Sequence, residues 1–141
     1  MTTMTAETSS PSKGMHVGLW VAQALLAVAF TGADLMKLTT PLAELATKMA
    51  WVNHVPAGLV PFIGAAELAG VLGLILPSAT RIKPGLTPLA AALLVVVMLL
   101  AAATHLSIGE APMVLPNLVL GGLAAFVAWG RFKAAPIAAR G

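Results

Sequence analysis

The chain has 141 residues, of which 59% are hydrophobic and 9% charged, and it carries a formal charge of +3. A water-soluble domain of ordinary composition has about a quarter of its residues charged, so this chain cannot cover a globule in water, and its surplus apolar surface calls for lipid. The length suits one domain. With no cysteine, disulfides, thiolate catalysis, iron–sulfur ligation and Cys-based zinc sites are excluded, and the scattered basic residues suit membrane flanks better than nucleic acid.

Residues 1–14, rich in Thr and Ser, read as a disordered N-terminal tail. With one Lys and no Arg, they do not resemble a transit peptide. A membrane domain is expected over residues 15–133 and a C-terminal tail over 134–141. The first apolar run, about Val17 to Leu38, reads as an uncleaved span because three more follow it. These run from about Ala57 to Leu76, from about Leu86 to His105 and from about Met113 to Trp129. Each approaches the ~20 residues that cross a hydrocarbon core of about 30 Å. Helices are required, because backbone groups in lipid must be satisfied within the segment. The fold class is therefore all-α: a four-transmembrane-helix bundle.

Between the first two spans, Thr40 can cap a short helix with Pro41 at its first position. Leu42, Leu45, Ala46, Met49 and Val52 then share one face, with Glu44 and Lys48 paired on the other. This segment reads as an amphipathic interfacial helix over residues 41–52, and Trp51 suits an aromatic belt. Ala65, Ala69 and Gly73, and also Gly121 and Ala125, follow the small-xxx-small spacing that lets helices approach closely within a bundle or a homo-oligomer.

The charges orient the chain. Lys13, Arg81, Lys83, Arg131, Lys133 and Arg140 flank one side of the four spans, against Lys37 and Lys48 on the other. The positive-inside rule then places both termini in the cytoplasm of a bacterial-type inner membrane.

Ionisable side chains inside a membrane cost roughly 2.5 to 3.5 kcal/mol on insertion scales and need a reason to be there. Asp34 and Lys37 lie near the outer end of the first span. Glu67 is about 15 Å into the second, at a rise of ~1.5 Å per residue. His105 ends the third and Asn117 lies one turn into the fourth. Gln23, Asp34 and Lys37 follow one stripe of the first helix. These groups are expected to converge on one site in the outer half, above an almost purely apolar inner half. Asp34, Glu67 and His105 are the candidates for proton transfer, and Lys37, Asn117 and Gln23 the candidates for binding. The bland alternatives are a self-neutralised Asp34–Lys37 pair, a structural Glu67 pin and a belt histidine. His16 and His54 read as solvated. No GxGxxG, GxxxxGK[ST] or HExxH motif occurs, neither Ser78 nor Ser107 has a nucleophile-elbow context, and no bound metal is expected.

The segments FTGADLMKL (30–38) and IGAAELAGVLGLIL (63–76), with an Ala-rich third span ending in THL (104–106), resemble the DoxX-like family of small four-helix membrane proteins over roughly residues 17–130. Lys37, Glu67 and His105 match the polar points of that pattern. The resemblance implies a redox-associated membrane subunit, since founding members look like membrane subunits of a thiosulfate:quinone oxidoreductase. Without cysteine, this chain has no thiol for sulfur transfer. Its expected role is a quinone-facing subunit working with redox partner subunits. The alternative is an independent membrane enzyme doing acid/base isomerisation or epoxide opening on a lipophilic small molecule.

Reporter fusions test the orientation. A fusion at residue 141 should report the cytoplasm, and one within residues 106–112 the opposite side. An external signal from the first would overturn the span count or the orientation.

Overall fold

The computed structural model describes residues 12–140. The expected tail over residues 1–11 lies outside the described residues. Four long helices form the bundle among the described residues: α1 (Lys13–Thr39), α3 (Leu59–Thr80), α4 (Leu86–Ser107) and α5 (Val114–Trp129). A seven-residue helix, α2 (Leu42–Lys48), and a 3₁₀ turn (Ala50–His54) join α1 to α3. α1, α3, α4 and the stretch Ala111–Ala134 that contains α5 are long and apolar enough to cross a membrane. α1 packs on α3 and α5, and α4 packs on the same two, so the helices close a ring. The end carrying α2 is called here the cap end, and the opposite end, where α1 begins, the terminal end.

The outward faces show why lipid surrounds this bundle. Val28, Phe62, Leu93 and Leu115 are each two-thirds or more exposed, while Asp34, Glu67, Arg131 and Gln23 are buried. Water would reverse that arrangement. Apart from Pro77, the buried positions on α3, Val60, Gly64, Glu67, Val71, Leu74 and Ser78, alternate three- and four-residue steps. That period keeps one seam facing its partners in a left-handed bundle.

Prolines mark three helix starts. Pro61, Pro88 and Pro116 each occupy the third residue of α3, α4 and α5, where the missing N–H would have had no intrahelical partner. Pro77 is different, because it lies inside α3, which continues to Thr80 rather than ending at Pro77 as the apolar run suggests. Its missing N–H frees the Gly73 carbonyl. Thr87 Oγ1 on α4 donates to that carbonyl at 3.0 Å, and the Ser78 hydroxyl lies 2.8 Å from the same Thr87 oxygen. A neighbouring helix thus satisfies the backbone group that proline released, as lipid requires.

Glycines set the closest approaches. A Cβ at Gly73 would lie 2.7 Å from the Ala90 Cβ, one at Gly70 3.1 Å from Leu94, and one at Gly64 3.2 Å from Lys37. Gly130 leaves room for Leu19 in the same way. Ala65, Ala69 and Ala125 face outward instead. The expected small-residue stripes therefore enter the bundle through Gly73 and Gly121 rather than along their whole length.

The segment between α1 and α3 also differs from expectation. Pro41, not Thr40, precedes α2 and makes no side-chain cap, and extended backbone at Met49 splits the expected single helix in two. Leu45, Val52 and Val60 still form a small buried core, while Leu42 is exposed. Glu44 and Lys48 pair at 3.0 Å on the outer face.

Pro77 and Thr87 form a testable couple. Thr87→Val should cost about 1 kcal/mol in thermal unfolding of the detergent-solubilised protein. In a Pro77→Ala background the cost should be smaller, because alanine restores the N–H that the Gly73 carbonyl otherwise lacks. Equal costs in both backgrounds would show that the hydroxyl does not serve the freed carbonyl.

Candidate functional site

At the cap end, Lys37 comes from the last turn of α1, with Asp34 one turn before it. Glu67 enters from α3, and Gly64, one turn earlier, lets the Lys37 stem lie against the α3 backbone. The Lys37 ammonium donates to Asp34 Oδ1 at 3.0 Å and to Glu67 Oε2 at 2.8 Å. The three side chains are 9%, 0% and 4% exposed respectively. Two carboxyls face one amine, so the group holds one acid in excess. Asp34 Oδ2 is fully buried and without a hydrogen-bond partner among the described residues, an arrangement that calls for explanation in a folded protein. An ammonium has three donors, and two are engaged here.

His105 ends the core face of α4. Its Nδ1 lies 2.7 Å from Glu110 Oε2, in the loop that leads to α5. Glu110 is 30% exposed at its side chain and His105 10%, so the pair runs from the protein surface inward. Asn117, on α5, donates its amide to the Met113 carbonyl at 3.0 Å.

Lys37, Glu67, His105 and Asn117 all border one hollow of about 570 Å³. This volume lies within the range of about 300 to 1,000 Å³ typical of small-molecule sites. The wall is otherwise mainly apolar, with Phe30, Ile63 and Met98 among its residues, and Trp51 and Met49 reach it from the cap. Asp34 stands behind Lys37 and does not border the hollow. Among the described residues, no cluster of His, Asp and Glu suits a metal ion.

Gln23 is not part of this site. Although it shares the α1 stripe with Asp34, it lies about three turns away toward the terminal end. There its amide donates to the Leu74 carbonyl at 2.6 Å and accepts from Arg131 Nε at 2.8 Å. Arg131 also reaches His16 Nδ1 and the Ala135 carbonyl, both at 3.1 Å, and its guanidinium lies 5.6 Å from the Trp20 ring centre. The half expected to be almost purely apolar thus contains a buried arginine. Arg131, expected to flank the spans, is only 4% exposed, because a π-helical turn over Gly130–Ala134 continues α5 and turns Arg131 into the bundle. His16 is engaged rather than free in water, and His54 is exposed.

Sequence reasoning also passed over two structural contributions. Trp51 forms part of the hollow's wall instead of standing in a lipid belt alone, and Glu110 partners His105. An acid five residues beyond the histidine, across a turn containing Gly109 at φ 82°, was the available signal for the second.

A search among curated proteins and one among solved structures each found no match. The model of the DoxX-like family matches residues 21–127, which cover α3 and α4 whole and most of α1 and α5. A multi-pass membrane protein of four long apolar helices, matched by that model over most of its length, belongs to the DoxX-like family.

Proposed function

We propose that the protein binds a lipophilic carbonyl compound of the quinone class beneath its cap and handles the protons of that molecule's reduction. The observation that carries this reading is Lys37, held by two carboxylates on the wall of a largely apolar hollow. Its third N–H is available to a carbonyl oxygen of the ligand, a charge-assisted hydrogen bond in an apolar setting. Reduction of a quinone to a quinol consumes two electrons and two protons. The electrons come from a redox partner subunit, and the protons from the acid group around Lys37 and from His105. Glu110, partly exposed and bonded to His105, supplies a path for replacement protons from the cap-end water. The excess of basic residues at the terminal end supports both termini facing the cytoplasm, with the hollow toward the outer face.

The test separates binding from folding. Removing Lys37 alone strands both carboxylates at about 3–5 kcal/mol, so the variant should neutralise all three together. Asp34→Asn/Lys37→Met/Glu67→Gln should unfold within a few degrees of the wild type in lipid nanodiscs, yet bind a soluble benzoquinone at least ~10-fold more weakly, the loss of one charge-assisted hydrogen bond. Unchanged affinity would overturn the proposed ring site. Glu67→Gln alone should keep binding and slow quinol formation when a chemical reductant supplies the electrons. Turnover of an epoxide or an enolisable lipid by the isolated chain, with no electron donor, would instead mark an acid/base enzyme using the same residues.

A further inference from the structure

A second hollow of about 540 Å³ lies on the outer wall between α3 and α4. It exists because α3 presents Ala66, Ala69, Gly70 and Gly73 there, side chains too small to fill the space beside α4. On the α4 side it is bordered by Leu86, Leu89, Leu93 and Val96, each about half or more exposed. This groove therefore faces the hydrocarbon of the bilayer. Its lining includes one ionisable residue, Glu67.

Glu67, Ala66 and Val97 border both the groove and the hollow beneath the cap. Glu67 is 3% exposed. Its Oε2 holds Lys37, while its Oε1 carries no hydrogen bond among the described residues. A buried acid with one unengaged oxygen thus stands where a mainly apolar chamber meets a lipid-facing groove.

The geometry points to an amphiphilic ligand that reaches the site sideways from the bilayer, its polar ring beneath the cap and its hydrocarbon tail in the α3–α4 groove. This rests on the ring site proposed above and adds the tail, its location and the route of access. A ring bound next to Glu67 with a substituent directed away from the cap has the groove directly in line. Along α4 the groove spans residues 86 to 97, about 16 Å at ~1.5 Å per residue, so it accommodates a chain rather than a compact group. Lipid tails are as apolar as the groove wall, so the tail gains contact rather than hydrophobic burial. Its contribution is accordingly modest, and its main effect is to guide and orient the ring.

The experiment uses the full chain in phosphatidylcholine nanodiscs and two probes: a tail-free dimethoxy-benzoquinone, and the same ring with a decyl tail ending in a diazirine. On illumination, the tailed probe should label Ala69, Leu89 or Leu93. Ala69→Trp fills the groove without bordering the cap hollow. It should weaken the tailed probe about fivefold, equivalent to about 1 kcal/mol, and leave the tail-free probe unchanged. Labelling confined to α1 or α5, or an Ala69→Trp variant that affects both probes equally or neither, overturns the groove while leaving the ring site standing. Failure of the tail-free probe to bind, or its indifference to the Asp34→Asn/Lys37→Met/Glu67→Gln variant, overturns the ring site and the groove with it.

Discussion

One ammonium group shared by two carboxylates ties α1 to α3, and the cap end is organised around it. Lys37 left alone in hydrocarbon would be costly to insert, and either acid alone would be costly too. Together they partly neutralise one another, but only if the two helices approach closely, and Gly64 permits that approach. With α1 and α3 held there, the link through α2 and the 3₁₀ turn spans a fixed gap, and Leu45, Val52 and Val60 form a small core that keeps Trp51 over the hollow. The compensation is incomplete. One acid is in excess, one Asp34 oxygen is unpaired and one Lys37 donor is unused. Groups left over in a buried network are expensive, and two members of this one, Lys37 and Glu67, border a chamber of ligand size.

The terminal end is organised differently. Pro77 releases a backbone carbonyl, Thr87 takes it, and Gln23 takes the next one at Leu74. Gln23 in turn accepts from Arg131, whose remaining contacts are His16, Ala135 and the face of Trp20. Most polar groups here find protein partners, although Arg131 Nη2 is buried without one among the described residues. The two ends thus divide the polar residues of the membrane domain between a charge group beside the hollow under the cap and a clamp that binds α1, α3, α4 and α5 together.

The parts legible from sequence were those that depend on composition over long windows. Runs of about 20 apolar residues specify spans, and their order specifies a bundle. A buried face could be anticipated where the period was strong, as from Gln23 to Asp34. Local signals were less decisive. Pro77 read as an end because proline breaks helices in water, whereas in a membrane a neighbouring hydroxyl can supply the missing partner. Gln23 and Asp34 share a stripe, but a shared stripe says nothing about depth, and some three turns of helix separate the two residues. Arg131 was the least legible. A basic residue just past an apolar run looks the same whether it turns out to water or back into the bundle, and the π-helical turn that decides the matter leaves no periodic trace in five residues.

The clamp at Arg131 also bears on how the protein is made. The ring of helices is closed by contacts from the first helix to the last, through Leu19 against Gly130 and Gln23 against Arg131. The Ala135 carbonyl, another of the arginine's partners, lies beyond the final span. Until residue 135 has left the ribosome, α1 has no permanent neighbour on its α5 side, and Gln23 faces either lipid or the lateral gate of the insertion machinery. Closure of this bundle therefore follows chain order: α1 can meet α3 through Lys37 and Gln23 first, and the contact from Gln23 to Arg131 forms only once residue 131 has been made.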